Sequence, residues 1–162
     1  MNMLPFILAI VGIGLVAGLR AFTPLALVCW LANWGWIPLG GSRLAFLGTT
    51  IGAVVVTILA LGELIGDKLP KIPSRTGAAP LGGRMITGAL SAAAICIAAG
   101  QSWVLGAVVA AISAIVGAFL GYHVRRVLTQ RLPFPDLLVA LIEDFVTIAG
   151  TLLVFGSLFL KL

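Results

Sequence analysis

From Leu4 to Trp36 the chain carries a single charged side chain, Arg20, and comparable apolar runs recur along its length. Six can be separated, at Leu4–Leu19, Ala21–Leu39, Leu44–Ile65, Met85–Gly100, Trp103–Tyr122 and Leu137–Leu160. Runs of this kind suit the ~30 Å hydrocarbon core of a bilayer, which an α-helix crosses in about 20 residues. Backbone amides in that medium must be satisfied within their own segment, and a helix does so. The expected fold is therefore all-α: a polytopic membrane protein with six transmembrane helices, forming one transmembrane domain over residues 1–162. If Ala21–Leu39 is a re-entrant or interfacial piece, five spans remain. Composition agrees, with 61% hydrophobic residues, 9% charged and a mean hydropathy of +1.21, against about 45–50% apolar and about 25% charged in soluble domains.

Several function classes fall away at once. Six spans leave no room for a soluble catalytic domain, and the chain carries no HExxH, no GxSxG and a lone histidine, His123, so neither an enzyme nor a cofactor or metal site is expected. Cys29 and Cys96 sit in apolar runs without a CxxC or Cys/His cluster, which predicts neither a disulfide nor zinc. No Lys or Arg precedes Arg20, so Leu4–Leu19 reads as a retained span and not as a signal peptide. The net charge of +5 follows from where basic residues collect in loops and does not call for nucleic acid.

Those loops also set the orientation. With six spans, one side holds Arg20, Lys68, Lys71, Arg75, Arg84, Arg125, Arg126 and Arg131, and the other holds only Arg43 and Lys161. The rich side is expected in the cytoplasm of a cell inner membrane. Trp34, Trp36 and Trp103 then fall at the opposite interface, where indoles are favoured. The loop 66–84 joins two sets of three spans, and a three-helix half repeated once would be inserted upside down, as in many secondary transporters. An ordinary six-helix bundle fits equally well. Gly14/Gly18, Gly48/Gly52, Gly62/Gly66 and Gly106/Ala110/Ala114 with Gly117/Gly121 keep the small-xxx-small spacing that lets helix backbones approach closely. A bundle this thin leaves little space for a large cavity in one subunit, which makes a homo-oligomer plausible.

Four of the five acidic residues fall in two groups, Glu63 with Asp67 and Glu143 with Asp144. Glu63 and Asp67, four apart, share a helix face. Glu143 lies about seven residues past Asp136, roughly 10 Å along its helix from the loop. Charged groups at such depth are costly and face the bundle interior. Ala140, Glu143, Asp144, Thr147, Gly150, Thr151 and Ser157 form one small and polar stripe that should face protein. With Arg20, Lys68 and Arg84 at the same level, a polar cluster is expected in the cytoplasmic half, where Arg20 is accepted because a carboxylate neutralises it. Repulsion among clustered carboxylates favours a proton retained on one of them, which would serve proton- or cation-coupled transport of a small solute or ion. The competing reading is a scaffold or assembly partner whose buried charges fix helix packing.

In the long loop, Lys71, Ser74, Arg75, Thr76, Gly77, Gly82, Gly83 and Arg84 could all donate to phosphate at the start of the fourth helix. The spacing is not GxxxxGK[ST], and the plainer expectation is a basic loop held against anionic lipid headgroups. The segments "GLRAFTPL" (18–25), "ELIGDKLP" (63–70), "GR" (83–84) before a small-residue helix, and "ED" (143–144) resemble the bacterial small membrane proteins grouped as domain of unknown function 4126. The resemblance implies a polytopic inner-membrane protein and supplies no activity. Members usually carry further acidic residues after the "DK-P" element; Lys71, Ser74 and Arg75 stand there instead, which argues against a cation site in that loop.

Overall fold

The structure, a computed structural model, describes residues 3–66, 77–131 and 134–159. Within them the chain is helical, with no strand: α1 (Met3–Leu19), α2 (Phe22–Asn33), a 3-10 turn at Ala45–Gly48, α3 (Thr50–Gly66), α4 (Ala78–Ala98), α5 (Trp103–Gln130) and α6 (Asp136–Phe159). The helices α4, α5 and α6 are long and apolar enough to cross a membrane; α1, α2 and α3 are shorter apolar helices.

Helix limits depart from the apolar runs in both directions, for local reasons. The second run ends as helix at Asn33, because Gly35 takes a left-handed φ of 81°. Its amide donates to the Ala32 carbonyl and that of Trp36 to the Leu31 carbonyl, the double closure that a glycine just past a helix end permits. The same pair of bonds recurs after α4, where Gly100 has φ 64° and the amides of Gly100 and Gln101 reach Ile97 and Cys96. At 12 residues, α2 is about 18 Å long, well short of the bilayer core. The residues after it do not leave the bundle: Ile37, Leu39 and Leu47 are buried in its apolar core. By contrast α4 starts seven residues before Met85, so Gly82, Gly83 and Arg84 lie inside a helix and not in a loop. Likewise α5 runs eight residues past Tyr122.

At the centre of the bundle, α1 packs against α2, α4, α5 and α6, whereas α3 leans chiefly on α2 and the 3-10 turn. The helices α1 and α5 run parallel. Gly14 faces Ala110 and Ser113, and Gly18 faces Ala114 and Ala118. A Cβ on Gly14 would lie 2.5 Å from the Ala110 carbonyl oxygen, so this contact is backbone against backbone and needs glycine. On α1's other side α6 runs antiparallel, with Val154 against Gly12 and Gly150 against Val16. After the break at Arg20, α2 doubles back, and its Leu25, Val28 and Cys29 share the core with Ile10, Ile13, Cys96 and Phe155. The long α5 and α4 of the second half pack intimately on each other, while the short α2 of the first half packs mainly on α3. The two three-helix sets are thus built differently. Large apolar side chains cover the outside, from Ile51 and Ile65 on α3 to Phe145 and Leu153 on α6.

Candidate functional site: a buried layer of charge at a helix break

The residue that separates α1 from α2, Arg20, has no solvent exposure at all. Its guanidinium forms an ion pair with Asp144 of α6. A charge this deep costs several kcal/mol to desolvate and is held only by a well-placed counter-charge. The same break leaves backbone groups without intrahelical partners, carbonyls at the end of α1 and amides at the start of α2. Distant side chains supply both sets. Arg84 of α4 donates through Nη1 to the Gly18 carbonyl and to that of Leu19 at 2.9 Å. Glu63 of α3 accepts from the Ala21 amide at 2.8 Å and the Phe22 amide at 3.0 Å. A cation thus meets the negative end of one helix and an anion the positive end of the next, the favourable sense at each. Arg84 Nη2 and Glu63 Oε1 lie 3.8 Å apart, closing the loop between the two caps.

On the other side of Arg20 the charges continue outward. Arg125 of α5 grips Asp136, the first residue of α6, through two bonds, Nε to Oδ1 at 2.9 Å and Nη2 to Oδ2 at 2.7 Å. Its third nitrogen, Nη1, is 3.6 Å from Glu143 Oε2. The Asp136 side chain is 65% exposed, and that of Glu143 only 9%. Charged side chains therefore step inward from Asp136 through Arg125 to Glu143, whose neighbour in sequence, Asp144, meets Arg20. Among the described residues no group of three His, Cys, Asp or Glu is placed to hold a metal ion.

Of the residues expected at the site from sequence, Arg20, Glu63, Arg84, Glu143 and Asp144 are brought together in this layer, while Asp67 and Lys68 lie outside the described residues, as do Lys71, Ser74, Arg75 and Thr76. Thr147 and Thr151 are buried on the same face of α6, but each hydroxyl donates to its own helix, to the carbonyls of Glu143 at 2.8 Å and Thr147 at 2.7 Å. The buried stripe ends with Phe155; Ser157 is exposed and does not belong to it. The amides of Gly82 and Gly83 lie past the first turn of α4, which removes them as donors to a phosphate at its start. His123 Nδ1 is 2.9 Å from the Phe119 carbonyl, and its ring meets Tyr122 edge to face.

The expected cluster did not include Arg125 with Asp136, nor Thr87 and Ser91, which continue the buried polar face of α4 from Arg84. Extending α5 as a helix past Tyr122 would have found the first pair, since Arg125 then sits one turn beyond Gly121, where Glu143 packs. The i, i+3, i+7 spacing of Arg84, Thr87 and Ser91 would have found the second.

Helical throughout the described residues, apolar on the outside, with three helices long enough to cross a membrane and a buried ion-pair layer, the molecule is of the class of small helical membrane proteins. The chain belongs to the family described as Domain of unknown function (DUF4126), whose sequence pattern it matches over residues 7–157. No curated protein and no solved structure matches it.

Proposed function

We propose that this is an inner-membrane protein of six spans, or five if the short α2 does not cross, that moves a small solute or ion, coupled to a proton or cation, with the charged layer in its cytoplasmic half as the working site. One observation carries the reading: charged side chains lead from a rim carboxylate, Asp136, through Arg125 to the adjacent acids Glu143 and Asp144 and on to a fully buried arginine, Arg20, at the turn between two helices. Helix ends that meet charged groups within the membrane are where many transporters bind cargo. Intramembrane ionisable residues likewise mark ion and proton pathways. The basic loop after α5, with Arg131, would rest on anionic headgroups, and the exposed apolar face of α3 would meet a second copy.

A scaffold without transport is the second reading, favoured by the way Glu63 and Arg84 cap the helix break, which alone would justify burying them. Protein reconstituted in liposomes separates the two when proton or cation flux is followed in the parent and in a Glu143→Gln, Asp144→Asn double variant. A variant that folds and inserts but carries no flux supports transport. A parent without flux, and a double variant that merely fails to accumulate, would sink it in favour of the scaffold.

A further inference from the structure

Opening at the end of the bundle opposite the charged layer and running inward along α4 to Ile86, a half-open recess of about 830 Å³ lies between α4, α5 and the turn at 41–44. Its wall is apolar, with Ile86, Leu90, Ala93 and Ile97 of α4, and its mouth is formed by Trp103 and Arg43. We propose that this recess binds one anionic phospholipid, its acyl chain along α4 and its phosphate on Arg43.

Three features point to that occupant. Length is the first. From Ile86 to Ile97 the groove follows eleven residues of helix, about 16 Å at ~1.5 Å per residue, which is half of the ~30 Å hydrocarbon thickness and so the depth of one leaflet. Charge is the second. Arg43 is exposed, and the four described carboxylates, Glu63, Asp136, Glu143 and Asp144, belong to the layer at the other end, so the counter-ion that this guanidinium lacks within the described residues can be a headgroup phosphate. Depth is the third. Trp103 at the mouth is half exposed, 53%, and indoles settle at headgroup level. The turn is itself held in shape, since the Ser42 hydroxyl donates to the Leu39 carbonyl at 2.7 Å and accepts from the Leu44 amide at 3.2 Å. Arg43 is thereby presented on a fixed turn and not on a free loop.

The test is native mass spectrometry of the protein in mild detergent, titrated with phosphatidylglycerol or phosphatidylcholine of the same chain length. One phosphatidylglycerol should be retained in preference. In Arg43→Gln that preference should fall about fivefold, the equivalent of the ~1 kcal/mol that one basic side chain contributes near anionic lipid. Ala89→Trp, which fills the groove, should lose the bound lipid altogether, with Ala107→Leu as a smaller filling change should the first not fold. Arg126→Gln, a basic side chain at the other end, should leave the preference intact. The proposal is overturned by equal retention of both lipids, by a preference that survives Arg43→Gln, or by one lost in Arg126→Gln, which would mean nonspecific charge binding. It is equally overturned if Ala89→Trp converts a dimer to a monomer while lipid retention stays unchanged, since the groove would then be covered by a second copy.

Discussion

The two ends of this bundle finish their helices in opposite ways. Away from the charged layer, α2 and α4 close on themselves: Gly35 and Gly100 turn left-handed, and amides two and three residues past each helix reach back to its last carbonyls. At the charged end, α1 and α2 are closed by side chains from far along the chain. Glu63 is 41 and 42 residues from the amides it holds, and Arg84 is 65 and 66 from its carbonyls. The first kind of closure depends on nothing else in the fold. The second ties α1, α2, α3, α4 and α6 together, so that displacing one helix leaves polar groups of another unmet. A layer whose members can move only together is what coupling an ion to a conformational change requires.

The largest effect should come from breaking that layer at its deepest point. Arg20→Ala takes from the buried Asp144 the guanidinium it pairs with, at a cost of about 3–5 kcal/mol, seen as a fall in Tm on the order of 10 °C in detergent. Replacing both partners, Arg20→Met with Asp144→Leu, should recover most of that loss, because an apolar pair of similar volume is often as stable. If the layer serves transport, the rescued double variant still carries no flux. Equal flux in the parent and the rescued variant would show that the pair is there for packing alone.

Next in size is the cap. Glu63→Ala leaves the Ala21 and Phe22 amides without their charged acceptor and should cost about 2–3 kcal/mol, read as a lower midpoint in thermal unfolding. At the opposite end Gly100→Ala forces an alanine into a left-handed conformation, at about 1–2 kcal/mol, by the same measurement. What tells the two closures apart is reach. Hydrogen exchange should rise in α1, α2 and α3 together for Glu63→Ala, but only at the α4–α5 turn for Gly100→Ala. Exchange confined to Phe22 and its neighbours in the first variant would mean that the long-range cap is no more coupling than the local one.

Legibility in the sequence follows the same division. Where structure is local, hydropathy and turn chemistry suffice: α6 begins at Asp136, one residue before the apolar run that announces it, and the small residues at 14, 18, 110, 114 and 117 mark the seam between α1 and α5. Hydropathy fails where helix and apolarity part company. It extends the second span past Gly35, because Trp36, Ile37 and Leu39 are apolar without being helical, and it stops α5 at Tyr122, because His123, Arg125, Arg126, Thr129 and Gln130 make the helical residues beyond mostly polar. The charged layer was legible as depth, since carboxylates a few turns into apolar helices must meet something. Partners were not, because which arginine meets which acid is set by packing between segments. Asp144 meets Arg20 while Glu143 lies by Arg125, since the two acids, adjacent in sequence, point about 100° apart on α6.

The smallest stability effect belongs to Asp136, and it sharpens the comparison most. Its pair with Arg125 is bidentate but exposed on the acid's side, so Asp136→Asn should cost less than ~1 kcal/mol, barely visible in thermal unfolding. Arg125 would nevertheless lose its nearer carboxylate and keep Glu143 as its counter-charge. An arginine shared between two acids can pass from one to the other, whereas an arginine with one acid is fixed. In a transporter, then, Asp136→Asn should leave a folded protein with altered flux, because the outermost step of the charge run has been removed. Unchanged flux together with unchanged stability would place Asp136 outside the working site and confine it to Arg20, Glu143 and Asp144, on the buried side of Arg125.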